Sequence, residues 1–445
     1  MPRTTIKTTF AVGDAVTIRI ENAAHLGSGI GRVDGKVCMV PFAAVGDLLA
    51  ARITADHGSW AEAAISSVIE PGPGRVEPRC PVFGRCGGCS LQHLDEQRQR
   101  EWKVAVLRDA LVRIAKAPVE IIEYISGQMW NWRCRVSIHA SGQDSRRDAG
   151  FYERASHKVV PPGKCPIAMT AISELLEPVR AVARQAGETA SVEIEPVTGA
   201  SGGCIIVVNQ ETGSAKRLHD ALARLPGVDG VMSRTKDSGW RTTGAETIPW
   251  PTAGLPGQIE IIPTDPRGFT QAHMTMNSTL VETVIGHIAP DPAHLAGLRV
   301  LELYAGAGNI TLPLAMRGAD VLASDINEPA VQAGAAACAS RGRKTRHLSG
   351  DTVSVLSRLP ADFKRPDVVV ADPPRTGMAG IAQRLADMKA PRVVICSCEP
   401  SALARDLAAF TKTGYRIERV TLVDMFPSTF HMETVISLTF DDLCG

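Results

Sequence analysis

The chain has 445 residues, 44% of them hydrophobic and 21% charged, with 48 Lys and Arg against 47 Asp and Glu. That length is too great for a single core and implies two or three domains, and a net charge of +1 neither marks nor excludes a polyanionic partner. No apolar run reaches the roughly 20 residues that cross a bilayer, and the start, MPRTTIKTTF, has no apolar signal segment, so a cytoplasmic protein is expected and a membrane protein is not.

Eleven cysteines in a reducing compartment are expected to be ligands, a nucleophile or core residues rather than disulfides. Two stretches carry a local excess of positive charge. Residues 71–117 hold nine basic side chains against five acidic ones, and 131–165 hold seven against three. On charge alone each is as readily a solvated face as a nucleic-acid footprint.

In chain order, residues 15–70 read as a small barrel. AVTIRI alternates with period two, Gly27, Gly29 and Gly31 are expected to bend the chain, and GKVCMVPF and LLAARI supply further β-rich runs. Short strands with glycine turns suit an OB-like fold. PGPGRVEPRCP, at 71–81, marks a boundary. A helix is predicted over 95–117, with Trp102, Val106, Leu107, Leu111 and Ile114 on one face. Residues 119–263 mix strands (EIEPV, GCIIVVN, GQIEII) with a helix at 171–186, an α+β pattern. From about residue 270 the texture becomes Rossmann-like. RVLELY, ADVLAS, PDVVVA and RVVICS are short continuous apolar strands between helical stretches, and RIERVTLVDM and TVISLTF end the chain as a hairpin-like pair. The expected domains are therefore 1–70 (barrel), 71–265 (central domain, with the 95–117 helix packing on it or on the last domain) and 266–445 (Rossmann-like domain).

Four strings carry chemistry. LELYAGAGN, at 301–309, follows a strand and opens a helix, and Gly306 and Gly308 let a ligand approach the main chain. A third glycine at the dinucleotide position is missing, which argues against a nicotinamide cofactor. Asp325, ending the next strand in ASDIN, is placed to take ribose hydroxyls. ADPPRTG, at 371–377, sets Asp372 at the carboxyl end of a strand, where open α/β sheets hold ligands. In SCEPSALARD, at 397–406, Cys398 precedes a helix opened by Pro400, and a helix N-terminus favours a thiolate. Cys396 is its rival and is expected to pack in the sheet. CPVFGRCGGC, at 80–89, spaces Cys80, Cys86 and Cys89 as C-x5-C-x2-C, and Cys165 in PPGKCP is a distant fourth. Four thiolates bind zinc or an iron–sulfur cluster, and spacing alone does not decide. Cys38, Cys134, Cys204, Cys338 and Cys444 have no partner spacing and read as ordinary residues.

Together these strings resemble the RNA uracil-C5 methyltransferases over nearly the whole chain, most closely the bacterial 23S ribosomal RNA branch, and GIGRVDGKVCMVPFAAVGD resembles the TRAM module, an RNA-binding barrel. The resemblance implies S-adenosylmethionine held by Gln271, Tyr304, Gly306, Gly308, Asn309, Asp325, Asp351 and Asp372. It implies Cys398 as the nucleophile that adds to uracil carbon 6, and Glu433, in DMFPSTFHMETV, as the base that removes the carbon-5 proton. Asp372 is implied to face cofactor and target base, and Arg375 the RNA backbone. A [4Fe-4S] cluster on Cys80, Cys86, Cys89 and Cys165 is implied too, the last following SHKVV. The partner implied is a ribosomal RNA loop or flipped uridine, with the protein acting as a monomer. The chain departs from the family at His273 and Glu399, where Asn is usual. The rivals are the transfer RNA uracil-54 branch, whose bacterial members lack barrel and cluster; RNA cytosine-5 methylation, whose Thr-Cys and Pro-Cys motifs are missing here; and a non-catalytic RNA chaperone.

Overall fold

The computed structural model describes residues 9–141, 148–185, 192–210, 216–235, 239–289, 291, 293 and 295–440. Cys444 lies outside them. The chain forms two compact units: Met1–Leu107 with Phe151–Pro162 and Pro427–His431, and Arg108–Gly150 with Gly163–Phe426 and Met432–Gly445.

In the first unit β1 (Ala15–Ala23), β2 (Ser28–Val33), β3 (Lys36–Pro41), β4 (Leu48–Asp56) and β5 (Trp60–Glu70) close into a barrel in the order β1-β2-β3-β5-β4. Alternation puts Ile18, Ile20, Cys38, Val40, Leu49 and Ile53 inside, each at most 1% exposed. Two of the three glycines act differently from expectation. Gly27 does turn the chain, at φ +74°. Gly29 and Gly31 instead sit within β2, where β1 presses so close that a side chain could not fit: a Cβ on Gly29 would stand 2.7 Å from Ile20 Cγ2, and one on Gly31 would meet Arg19 O. Asp47, in the turn before β4, is fully buried. It accepts from Ala44 N (2.7 Å), Gly72 N (2.8 Å) and Arg75 Nη2 (2.6 Å), joining the barrel to the 71–81 boundary segment.

The predicted 95–117 helix is observed as α1 (Glu96–Ala110) followed by a single π turn, Leu111–Ala115, ended by Lys116 at φ +57°. The division between the two units falls within α1.

The second unit holds two larger sheets. β6 (Glu123–Ser126) is followed by β7 (Ile138–Ser141) and β8 (Asp148–Tyr152), and β9 (Val159–Val160) pairs with the end of β8 in the first unit. α2 (Thr170–Gln185), β10 (Val192–Thr198), β11 (Cys204–Gln210), α3 (Lys216–Leu222), β12 (Val228–Thr235) and β13 (Arg241–Gly244) complete a sheet ordered β13-β12-β11-β10-β7-β8. β10 and β11 are the predicted EIEPV and GCIIVVN strands. GQIEII falls in β15 (Ile259–Thr264), which pairs only with β14 (Ile248–Ala253) as a separate ribbon.

After α4 (Met274–Gly286) comes the Rossmann-like part: β16 (Arg299–Leu303), α5 (Thr311–Met316), β17 (Asp320–Asp325), α6 (Glu328–Ala339), β18 (Arg346–Ser349), α7 (Thr352–Ser357), β19 (Val368–Ala371), α8 (Ala382–Asp387), β20 (Arg392–Ser397), α9 (Pro400–Lys412), β21 (Tyr415–Asp424) and β22 (Glu433–Phe440). The sheet order is β18-β17-β16-β19-β20-β22-β21-β6. All predicted strands of this region are present. The apolar strands are parallel, buried on both faces, and covered by helices such as α4, whose Leu280, Val281, Val284 and Ile285 are fully buried.

The eighth strand comes from far upstream. β6 runs parallel to β21, and Glu123 locks it with a two-pronged ion pair to Arg419 (2.7 Å) and a bond from Thr421 (2.9 Å). The chain thus enters this sheet well before residue 266.

Candidate active site

The sheet's carboxyl edge collects the catalytic candidates by register. β19 and β20 are parallel with Ala371 beside Ile395, so Asp372, one residue on, comes level with Cys396. β22 is antiparallel to β20, with Thr434 opposite Ser397 and Val435 opposite Cys396. Side chains alternate along a strand, so Glu433 and Val435 share a face with Cys396 and Cys398. Asp372, Cys396 and Glu433 consequently meet, their donor atoms all within 4.8 Å of one another, and Cys396 Sγ donates to Glu433 Oε1 at 3.4 Å.

Glu433 is 3% exposed, so it is not a surface glutamate. Burial first, then the charge of Asp372, pushes its carboxyl well above the usual range. Burial likewise raises Asp372 to about 7, against the pull of the Cys396 thiol. Two carboxyl groups this close cannot both ionise cheaply, which adds to burial in favouring the neutral acid at Glu433.

Cys398 is half-buried. The expectation that the helix N-terminus makes it a ready thiolate does not hold. Burial, followed by the charge of Glu433, pushes the thiol up to about 11, while the exposed Arg375 guanidinium works in the opposite direction. The helix end has another occupant. Glu399 caps α9, accepting from Ser401 N at 3.3 Å and from Ser401 Oγ at 2.8 Å, so the acid that departs from the family is engaged in a cap.

The loop after Asp372 is tied to α9. Gly377 takes φ +75°, and a Cβ there would stand 2.6 Å from Asp406 Oδ2, which accepts Met378 N at 2.8 Å.

The glycine turn has the geometry of a cofactor cradle. Gly306 and Gly308 adopt φ +55° and +89°. A Cβ on Gly308 would lie 3.1 Å from the Cα of Gly334, so glycines on both sides let α6 approach the turn. Asp325 Oδ2 accepts Gly306 N at 2.9 Å and Oδ1 accepts Asn327 N at 2.8 Å, fixing the carboxylate while leaving lone pairs for ribose hydroxyls. Tyr304 is half-buried in the left-handed region at φ +62°. Asn309 exchanges two bonds with Asn277 on α4, at 2.7 and 2.9 Å. Asp351 is exposed and caps α7 through Ser354 N. Gln271 is 6% exposed, beside His273, whose ring stacks on Trp132 with centroids 5.4 Å apart. Burial drops His273 to about 4, so it is neutral where the family has Asn.

Sequence reasoning missed Glu302. It is buried in β16, accepts from Thr311 Oγ1 at 2.7 Å, and is raised by burial to about 8. The signal was a lone acid inside the apolar strand RVLEL. It missed the acid contact of Cys396 as well, because a cysteine in an apolar strand reads as core.

The cysteine motif lies in the first unit. Cys80, Cys86 and Cys89 are half-buried, Gly88 N donates to Cys86 Sγ at 3.4 Å and Gln92 Nε2 to Cys89 Sγ at 3.2 Å. Gln92 Oε1 also accepts Cys80 N at 3.1 Å, so one carboxamide braces both ends of the motif. N–H groups aimed at sulfur suit thiolate ligands. Cys165, half-buried in the second unit, has its amide held by Ser173 Oγ at 3.1 Å.

A parallel sheet with a glycine cradle after its first strand, and an acid ending the next, is the layout that S-adenosylmethionine-dependent methyltransferases share. The family model described as tRNA (Uracil-5-)-methyltransferase matches residues 264–349 and 357–440, and the TRAM domain model matches residues 10–65. The 23S rRNA (uracil(1939)-C(5))-methyltransferase RlmD of Halomonas elongata is 32% identical over 95% of this chain and 89% of its own length. The same-named enzyme of Thiobacillus denitrificans is 30% identical over 92% and 96%. The tRNA (uracil-54, C5)-methyltransferase of Pyrococcus abyssi, solved with S-adenosyl-L-homocysteine, shares the fold, with a TM-score of 0.71, 22% identity, and coverage of 95% of this chain and all of that one. The chain belongs to the RNA (uracil-5-)-methyltransferase family, with a TRAM domain at its N-terminus. No helix among the described residues is long and apolar enough to cross a membrane.

Proposed function

We propose that the protein forms 5-methyluridine in 23S ribosomal RNA in the cytoplasm, with Cys398 as nucleophile and Glu433 as base. The observation that carries the reading is the meeting of Asp372, Cys396 and the buried Glu433 at the strand end that leads into Cys398. The relatives at 30–32% identity, named for this activity, support 23S RNA as the substrate.

S-adenosylmethionine, when bound, supplies a methyl group on a cationic sulfur. Gly306, Gly308 and Asp325 would hold it, with Gln271, Tyr304, Asn309, Asp351 and Asp372 lining the site. The protein's own work comes before and after methylation. The Cys398 thiol loses its proton to solvent water and adds to carbon 6, making carbon 5 nucleophilic while the Glu433 carboxylate is kept free for the later step. Arg375 favours the thiolate. After methylation, Glu433 takes the carbon-5 proton, the C5–H electron pair becomes the C5=C6 bond, and Cys398 leaves with the C6–S pair.

The three cysteines of the motif suit thiolate ligation, and we propose that Cys80, Cys86 and Cys89, with Cys165 as the fourth ligand that the family resemblance implies, hold a [4Fe-4S] cluster. The donation to sulfur from Gly88 and Gln92 supports this.

The test is transfer of labelled methyl to 23S RNA from a strain lacking the gene, with transfer RNA alongside and the product mapped by mass. Label in one 23S uridine is expected; label in transfer RNA alone would overturn the substrate.

A further inference from the structure

A buried carboxylate needs donors, and the hydrogen bond recorded for the Glu433 carboxyl among the described residues comes from an unusual one, the thiol of Cys396. Cys396 is 1% exposed, in a strand whose neighbouring buried positions Val393, Val394 and Ile395 are aliphatic. What the thiol adds is a proton that can be donated. It also lies within hydrogen-bonding reach of Asp372 on the neighbouring strand.

We propose that Cys396 is a positioning residue for the elimination step: its S–H donates to Glu433, aims the carboxylate at the carbon-5 proton and favours its anion against the burial and the Asp372 charge that favour the acid. This rests on the reading of Glu433 as the base.

The charged and titratable groups around Glu433 are Asp372 just beyond β19, Arg375 in the loop that follows, Cys396 on β20 and Cys398 just beyond it. Burial and Asp372 favour the neutral acid; Cys396 and, less strongly, Arg375 favour the anion. Cys396 itself stays protonated, since burial and both carboxyl groups raise it well above the normal thiol range. It is therefore a donor throughout the working range, never a competing nucleophile. Without it, Glu433 holds its proton to higher pH, and the adduct of Cys398 with methylated uracil waits longer for a base.

The experiment follows decay of that adduct in single turnover against pH, using 23S RNA from a strain lacking the gene. Wild type is compared with Cys396→Ala, Cys396→Val, Cys396→Ser and Glu433→Gln. Cys396→Ala and Cys396→Val are expected to move the acidic midpoint of decay up by about one pH unit and to slow release about tenfold below it. Cys396→Ser, which keeps a donor, should return the midpoint towards wild type. A wild-type midpoint in both Cys396→Ala and Cys396→Val, or a Cys396→Ser enzyme slower than Cys396→Ala, overturns the proposal. Glu433→Gln separates the two readings. If it releases product at the wild-type rate, the base assignment fails. If it stalls while Cys396→Ala keeps the wild-type midpoint, only the role of Cys396 falls.

Discussion

Asp406 on α9 accepts the backbone N–H of Met378 at 2.8 Å, so the helix that follows Cys398 also anchors the loop that follows Asp372. Nucleophile and acid are thereby carried by one braced assembly. Asp406→Ala leaves a buried amide unsatisfied, a loss of about 1–3 kcal/mol. The expected result is a lower melting temperature together with a fall in kcat larger than any rise in KM. Full activity in the variant would show that the brace is dispensable.

Because Cys398 is pushed up to about 11, it is a thiol at neutral pH. Its alkylation by iodoacetamide should accelerate about tenfold per pH unit between pH 7 and 9. Arg375→Ala, which removes the opposing cation, should slow alkylation at fixed pH. A rate that is flat over this range would mean that the thiolate is already formed. Cys398→Ala should lose methyl transfer but keep RNA affinity, which phosphate contacts dominate.

Glu433→Gln should transfer the methyl group and then stall, leaving protein and RNA joined through Cys398. The adduct would migrate slowly on a denaturing gel and vanish in the double variant with Cys398→Ala. RNA containing 5-fluorouridine should trap wild-type enzyme in the same way. Normal turnover by Glu433→Gln would direct the search for the base to Asp372, the other carboxyl of the cluster.

Purified without oxygen, the protein should be brown and carry about four irons per chain. Cys89→Ser should lose iron and bind RNA more weakly. Gln92→Ala, which removes the donor to Cys89 Sγ and the acceptor for Cys80 N, should retain iron less well on exposure to air. Stoichiometric zinc without visible absorbance would replace the cluster with a structural metal.

Arg75→Ala leaves Asp47 buried without its guanidinium, and the barrel should lose roughly 3 kcal/mol. Burial works to raise the Asp47 carboxyl, yet Arg75 and the Gly72 and Ala44 amides together hold it below its ordinary value. The stabilisation is therefore complete above the usual carboxylate pKa and drains away as pH falls through the lower native one. In the variant the midpoint of acid unfolding, followed by circular dichroism, should move to higher pH; an unmoved midpoint would show that the pair contributes nothing.

Strand ends were the most legible part of the molecule. Asp325, Asp372 and Cys398 each follow a short apolar run, and the parallel sheet leaves such residues at one edge. The electrostatics were less legible. A helix start beside Cys398 suggested a ready thiolate, but burial and two carboxyl groups outweigh a partial charge already capped by Glu399. Non-local pairing was hidden altogether. Nothing in EYIS marks it as the partner of β21, almost 300 residues downstream, because a four-residue strand is specified by what it docks against. Gly29 and Gly31 looked like bends, and the sequence offers no means of telling a turn from a point where another strand leaves no room for a Cβ.

Since β22 runs against β20, the distance between nucleophile and base is counted in rungs of a ladder rather than in residues of chain. Lengthening the connection before Glu433 leaves that count alone, whereas deleting one residue between Glu433 and Val435 turns the carboxyl to the opposite side of the sheet. Evolution is thus free to remodel the approach to the site, while the spacing of the chemistry itself is quantised.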